Sequence, residues 1–387
     1  MSPTTSSTTL PPEQPPLPQR MTSSLIMGLA QGVSRAFLYG LNSVEVTGLQ
    51  RFLEVLDQRK DIEKRERGLI TVSNHVSIVD DPLIWGVLPF NYGFSPSNLR
   101  WSLGAHDICF KNRPLNALFT SGQVLPTHRL QHSDHGGLFQ PTMTQAIRLL
   151  SAQPFHTHPA QTVTSSSTLD IPDPFTNNHL TYYASPPPSP IFPAPSAYAQ
   201  NRHAWIHIFP EACVHQHPDM HMRYYKWGIS RLILEAEPMP DVLPMFIDGP
   251  QKVMSEDRTF PRFVPRAGKQ FRIGFGELLD MEERFGDLRK RWRELVVKDT
   301  LQESQTGALV KGKWMGDLSD ELKYGDEATK LRIEVARRVR EEVAKVRRSM
   351  GYPEEPDGLE DADTWKREDG KERFRSNVDD GLVNKKQ

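Results

Sequence analysis

Six short apolar runs through the middle of the chain, several of them separated by helical patterns, set the narrowest limit on how it can fold. Gly68–Ser73, Leu99–Leu103, Val124–Thr127, Trp205–Phe209, Val242–Ile247 and Phe271–Phe275 each have strand length, and Gly68–Ser73 also has the β-branched content of a buried strand. Helical periodicity fills Leu138–Leu150, Lys226–Glu237 and Asp326–Arg348. Asp81-Pro82 reads as an N-cap followed by proline at the first helical position. Strands alternating with helices indicate an α/β domain with a mixed, largely parallel sheet flanked by helices.

Composition says how much of the chain belongs to that domain. Of 387 residues only 37% are hydrophobic, while 32 are proline. The prolines cluster in a Pro/Ser/Thr-rich stretch at residues 1–24 and in a second at 152–201, where no Lys or Arg occurs between Arg148 and Arg202. Neither stretch carries enough apolar surface to offset chain entropy. The first is expected to be a disordered tail, the second a disordered insertion, and residues 351–387 a disordered charged tail. Residues 25–350 are left as one α/β domain, interrupted once by the insertion. The first stretch has neither a signal-peptide apolar core nor the Arg-rich pattern of a mitochondrial presequence.

Charge and cysteine count remove whole classes. Lys plus Arg is 47 and Asp plus Glu 48, a balance that argues against a dedicated nucleic-acid binder. Cys109 and Cys213 alone make no disulfide framework. Leu25, Leu29, Val33 and Phe37 recur at four-residue spacing between Leu25 and Leu41, a run too short and too interrupted to span a bilayer. It fits a helix lying in a membrane interface, or an amphipathic helix packed on the core. Arg223, Lys226 and Arg231 surround Trp227, Ile233 and Leu234, a basic and apolar mixture suited to an anionic interface or to a core helix with a solvated basic face.

The chemistry-bearing motif is Ser73-Asn-His-Val-Ser-Ile-Val-Asp-Asp-Pro82. His75 ends a strand and Asp80 precedes a helix, so the chain can turn back and set the carboxylate against one imidazole nitrogen. The other nitrogen is then free to take a proton from a substrate hydroxyl, as a general base. Downstream come Gly122-Gln-Val-Leu-Pro-Thr-His-Arg129, whose cation suits a phosphate, and Ile208-Phe-Pro-Glu211, a carboxylate at a strand end. Tyr225-Lys-Trp-Gly228 and Val242-Leu-Pro-Met-Phe246 follow. No G-x-S-x-G elbow is present, which argues against a lipid hydrolase. His215, His217 and His221 have no accompanying Cys pair and read as a solvated loop rather than a zinc site. The proline segments leave open a non-enzymatic interaction protein.

This set resembles the glycerolipid acyltransferase superfamily, whose blocks are H-x4-D, a glycine-to-arginine block, F-P-E-G and an apolar proline block. Within it the chain is similar to the tafazzin family of phospholipid–lysophospholipid transacylases. The carrying stretches are Ile70–His75, Asp80–Pro82 with Trp85-Gly86, Arg100-Trp101, Asp107–Phe110, His207–Glu211, Lys226–Ile229 with Arg231-Leu232, and Phe260–Phe263. One departure stands out: Ala212 occupies the position of the family's F-P-E-G glycine. The resemblance implies His75 as general base and Asp80 as its orienting partner. It implies Arg129 on a glycerolipid phosphate, Glu211 on a glycerol hydroxyl or headgroup, and Gly122 and Pro210 as parts of the same binding blocks.

The resemblance further implies phospholipids, cardiolipin and lysophospholipids as substrates, with acyl chains moved without CoA, metal or other cofactor. An acyl-CoA-dependent lysophospholipid acyltransferase is the alternative. It also implies peripheral or monotopic association with mitochondrial inner and outer membranes facing the intermembrane space. The expected membrane contacts are Leu25, Leu29, Val33 and Phe37, together with Arg223, Lys226, Trp227 and Arg231. Homo- or hetero-oligomers are left open.

Overall fold

The computed structural model describes residues 17–130, 132–133, 136–152, 181–182, 192–193, 202–305 and 318–367. Nearly all of the expected insertion, and the outer parts of both expected tails, lie outside the described residues. Seven strands form one sheet: β1 (Ser43–Thr47), β2 (Leu69–Val72), β3 (Arg100–Ala105), β4 (Val124–Thr127), β5 (Trp205–Ile208), β6 (Asp241–Asp248) and β7 (Gln270–Phe275). Their order is β1-β7-β6-β2-β5-β3-β4. Every neighbouring pair is parallel except β6 with β7, so the sheet is mixed and largely parallel as expected. β2 and β5 are buried at every position, which is why they read as continuous apolar runs. β1 was not expected: no position of Ser43–Thr47 is buried, so it carries no core signal.

Helices cover both faces. α1 (Leu17–Leu41), α2 (Leu49–Gln58) and α3 (Asp80–Trp85) lie on one, where Phe52 of α2 meets Trp85 and Trp205 edge-on or tilted. α4 (His106–Cys109) and α5 (Arg113–Ser121) join β3 to β4. On the other face α6 (Pro141–Leu150), α7 (Gly228–Glu235), α9 (Met281–Gln305) and α11 (Asp326–Ser349) pack on one another, with α8 (Pro250–Val253) and α10 (Asp320–Tyr324) in the connections. A short α12 (Ala362–Arg367) follows. Gly274 serves this packing: a Cβ there would come within 2.6 Å of the Met350 sulfur, so α11 approaches β7 closely only because the side chain is missing.

Four expectations need correction. α1 begins at Leu17 rather than near Leu25, so part of the expected tail is helix. Residues 351–367 are not a loose tail: Trp365 is buried, its ring beneath the Arg223 guanidinium at 4.8 Å, and Glu355 accepts the Met222 N–H at 2.6 Å. Tyr352, whose hydroxyl donates to Asp248 at 2.6 Å, and Leu359, which packs with Tyr224 and Trp365, help to dock this charged stretch. α3 begins at Asp80, not after Asp81.

The fourth correction concerns the basic cluster. Arg223 and Arg231 are each only 1% exposed and offer no surface to a membrane. Residues 229–234 of α7 are all buried, so the helix has no solvated basic face. Arg231 is held in a two-pronged pair with Glu235 at 2.6–2.7 Å, one turn further on. Lys226 hydrogen-bonds the Tyr224 hydroxyl, and Trp227 is half-buried against the core.

α1 is built inside out. From Leu25 onward its exposed face is mainly apolar, with Leu25 at 56%, Leu29 at 57% and Val33 at 69%, and Leu17 and Met21 continue the same four-residue series toward the N-terminus. Its inward face is partly polar: Gln31 donates to the Leu88 and Pro89 carbonyls at 3.1 and 2.9 Å, and Arg35 to those of Gly86, Val87 and Leu88. Phe37 departs from the stripe because it packs edge-on to Phe271 in the core. No helix among the described residues is long and apolar enough to cross a membrane.

The two ends of the insertion leave the domain side by side. Ser151 closes α6 and its carbonyl accepts the His203 N–H at 3.1 Å, while Leu149 accepts from Ala204 just before β5. This point lies at the edge of the sheet where β2 and β5 begin.

Candidate active site

β2 delivers His75 to the opposite edge, where the parallel strands end and α/β proteins collect their ligands. Three residues past Val72, the His75 Nδ1 lies 2.8 Å from Asp80 Oδ2. The same oxygen accepts the backbone N–H groups of Val76 and Ser77 at 2.7 and 2.8 Å. The four-residue spacing therefore builds a closed turn in which one carboxylate oxygen fixes both the backbone and the imidazole. Asp80 is fully buried. Burial pushes its carboxyl up, and the bond from His75 and the two backbone N–H groups hold it back only in part. With Nδ1–H donating to Asp80, Nε2 is the acceptor, and His75 is exposed enough (23%) to meet a substrate.

The backbone of His75 is fixed at both ends. Its N–H donates to Glu211 Oε1 at 2.9 Å and its carbonyl accepts the His215 N–H at 2.8 Å. Glu211 Oε2 accepts the Arg223 N–H at 2.9 Å. Glu211 is thus a buried clamp between the His75 turn and the 223 segment, with each oxygen already bonded to main chain. Burial pushes its carboxyl up, opposed by His215 and those N–H groups. Pro210 beside it is buried, and its carbonyl accepts the Lys226 N–H at 2.8 Å.

Several positioning residues escaped the sequence reading. Asn74 is buried and exchanges two hydrogen bonds with the Ile247 main chain, both 2.9 Å, so the turn is pinned to β6 like one more rung of sheet. Phe209 stacks on the His75 ring at 4.4 Å, and the buried His207 meets Phe209 edge-on. Burial takes the His207 ring down to about 3, so it is neutral. Asp81 bonds the Trp85 indole N–H and forms a fork with Arg100. Burial opposes its charge, but Arg100 outweighs that and holds the carboxyl below its ordinary range. The adjacency of Asp81 to Asp80 was the only local signal. The Asn74, Phe209 and Arg100 contacts are long-range.

Not every expected residue converges. Arg129 follows β4, three strands from β2, and its guanidinium is forked onto Asp107 of α4, with Nε to Oδ1 at 3.0 Å. Arg129 holds the Asp107 carboxyl low against the opposing effect of burial. Gly122 precedes β4 and caps α5, which puts it at the far edge of the sheet from His75. His217, Asp219 and His221 bring one ligand atom each within 4.8 Å of one another, without His215. His217 Nδ1 accepts the Asp219 N–H at 3.0 Å, which leaves the neutral ring's proton on Nε2, where a cation would have to bind.

Ala212, at the family's glycine position, has a φ of +57°, in the left-handed region that favours glycine. Alanine there costs about 1–2 kcal/mol. Allowing for the greater freedom glycine has in the unfolded chain, Ala212→Gly should raise unfolding stability by about 0.5–1 kcal/mol. Denaturant titration of the two proteins measures this, and a lower midpoint for the glycine variant would contradict the strain.

No protein-family model matches the chain. Compared with curated proteins, it is 36% identical over 352 residues to tafazzin of Saccharomyces cerevisiae, covering 88% of this chain and 81% of that one. It is 28% identical over 292 residues to tafazzin of Drosophila melanogaster, with 73% and 60% covered. The N-acylphosphatidylethanolamine synthase of Arabidopsis thaliana is 28% identical over 216 residues, covering 55% of this chain and 56% of that protein. Among solved structures, the 1-acyl-sn-glycerophosphate acyltransferase of Thermotoga maritima aligns over 75% of this chain and 81% of its own, at 15% identity and a TM-score of 0.34. With its α/β fold and these relatives, the protein is an acyltransferase. It belongs to the tafazzin family.

Proposed function

We propose that the protein moves acyl chains between phospholipids and lysophospholipids without CoA, with His75 as general base. The observation that carries the reading is the His75–Asp80 bond at the strand-end edge, with Nε2 left to accept. A lysophospholipid hydroxyl gives its proton to Nε2 as its oxygen attacks the acyl carbonyl of a donor phospholipid. The Asp80 carboxylate stabilises the imidazolium that forms. The tetrahedral intermediate collapses, the donor's glycerol oxygen leaves, and it takes the proton back from Nε2. One ester forms and one breaks, and a new lysophospholipid departs. Because donor and acceptor oxygens are alike, one base serves both directions, and no cofactor enters the balance.

Family membership supports cardiolipin remodelling through monolysocardiolipin, and a mitochondrial site on inner and outer membranes facing the intermembrane space. The inverted α1 supports peripheral or monotopic attachment through Leu25, Leu29 and Val33. Glu211 and Pro210 act in this reading as supports of the His75 turn. Arg129 reaches a phosphate only by sharing or leaving Asp107. The deciding measurement gives purified protein labelled lysophospholipid with either phospholipid or acyl-CoA as donor. Transfer from phospholipid with no CoA present is expected. Transfer from acyl-CoA alone would overturn CoA independence and leave the acyl-CoA-dependent enzyme.

A further inference from the structure

Between α8 and β7 the chain makes a loop, residues 254–269, that the proposed chemistry does not use. It holds out two phenylalanines almost free of the protein, Phe260 at 87% and Phe263 at 78% exposed, with Val264 also exposed. Around them stand Arg258, Arg262, Arg266 and Lys269 against two acids, Glu256 and Asp257. The three arginines donate to carbonyls of the loop and its root: Arg258 to Ser255 at 2.6 Å, Arg262 to Glu256 at 2.9 Å and Arg266 to Thr259 at 2.7 Å. Carbonyls brace the loop without cancelling its charge, and none of these arginines has a carboxylate partner among the described residues. The loop is therefore internally braced, cationic and tipped with aromatic rings.

Its roots tie it to both parts of the proposed lipid machinery. At one end Gln216 donates to the Val76 and Met254 carbonyls at 2.8 and 3.2 Å and accepts the Glu256 N–H at 3.0 Å, linking the loop to the His75 turn. At the other, the Gly268 N–H reaches the Leu41 carbonyl and the Lys269 N–H the Asn42 side chain, both at 2.8 Å, at the end of α1. β6 ends and β7 begins at the edge where β2 delivers His75, so the loop stands on that edge.

We propose that the 254–269 loop is a membrane-insertion element that enters the headgroup region of an anionic bilayer through Phe260 and Phe263 and turns the His75 edge toward the lipid. This rests on the phospholipid reading above. Two side chains on a turn are far too small for a protein interface, which buries about 800 Å² per partner. They suit a bilayer interface, where each exposed ring finds an apolar phase and the adjoining cations meet anionic headgroups.

The test uses the full chain and vesicles of phosphatidylcholine, with or without about one-fifth phosphatidylglycerol. The double variant Phe260→Ser/Phe263→Ser should partition onto the anionic vesicles at least about tenfold more weakly. Its transfer between vesicle lipids should fall in step, and transfer between short-chain lipids in detergent micelles should be unchanged. Separately, Phe260→Trp should show indole emission that shifts to the blue on anionic vesicles and is quenched by lipids brominated in the chain. Undiminished vesicle binding by the double variant, or an unquenched indole, would overturn the proposal. Dissociation of a wild-type dimer by the double variant would overturn it in favour of a second copy as partner. Quenching in a protein that transfers no acyl chain would leave the insertion standing and remove the enzymatic reading instead.

Discussion

His75→Ala should lower acyl transfer by about a hundred- to ten-thousandfold, the usual range for removing a general base, and should leave the fold in place. The side chain is partly exposed, so its loss opens no large cavity. Asp80→Asn separates charge from shape. An amide oxygen in place of Oδ2 still accepts the Val76 and Ser77 N–H groups, so the turn survives. What is lost is the negative charge that balances the imidazolium, and activity should fall by about a hundred- to ten-thousandfold. Stability should move the other way. A carboxyl whose folded pKa is raised is destabilising when ionised, so at neutral pH the neutral amide relieves a cost and Asp80→Asn should hold or raise the unfolding midpoint. Steady-state transfer rates beside denaturant curves decide the matter. His75→Ala retaining activity would end the general-base mechanism, and a strongly destabilised Asp80→Asn would show that the charge supports the turn.

Glu211→Ala has the second large effect, chiefly on stability. Removing the carboxylate strands two main-chain donors, those of His75 and Arg223, at a site closed to water. Each buried unsatisfied N–H costs about 1–3 kcal/mol, so a loss of about 2–6 kcal/mol is expected, with activity lost alongside. A glutamate that held a glycerol hydroxyl would behave differently: KM would rise and the melting temperature would stay put. Thermal unfolding and KM measured on the same preparation separate the two roles. The structure favours the clamp because both oxygens are already engaged.

These two residues also mark where sequence is informative. The His75–Asp80 pairing is legible because five residues of chain and one strand end determine it. The role of Glu211 is not, because its partners are a backbone group 136 positions away and another 12 positions away. Central strands such as β2 and β5 were readable from unbroken apolar runs, whereas β1, half-exposed along its length, offered nothing periodic. Cations misled for a physical reason. Arg231 has Glu235 one turn ahead in the same helix, and Arg129 has Asp107 across two elements. Counting positive residues says nothing about which are already neutralised. α1 shows the converse limit: four-residue spacing revealed an apolar stripe but not which way it faces, because that depends on carbonyls of residues 86–89 that capture Gln31 and Arg35.

The paired departure and return of the chain at Ser151 and His203 has a consequence for how such a protein can vary. The two residues are joined by a main-chain hydrogen bond at the starting edge of β2 and β5, a strand's length from His75. Whatever is threaded between them hangs from a single doorway that the sheet has already closed. Doubling the length of such a loop adds only about 0.6 kcal/mol of closure cost. The His75 edge and this doorway can therefore diverge at separate rates, with chain added or lost at one while the geometry of the other stays in register.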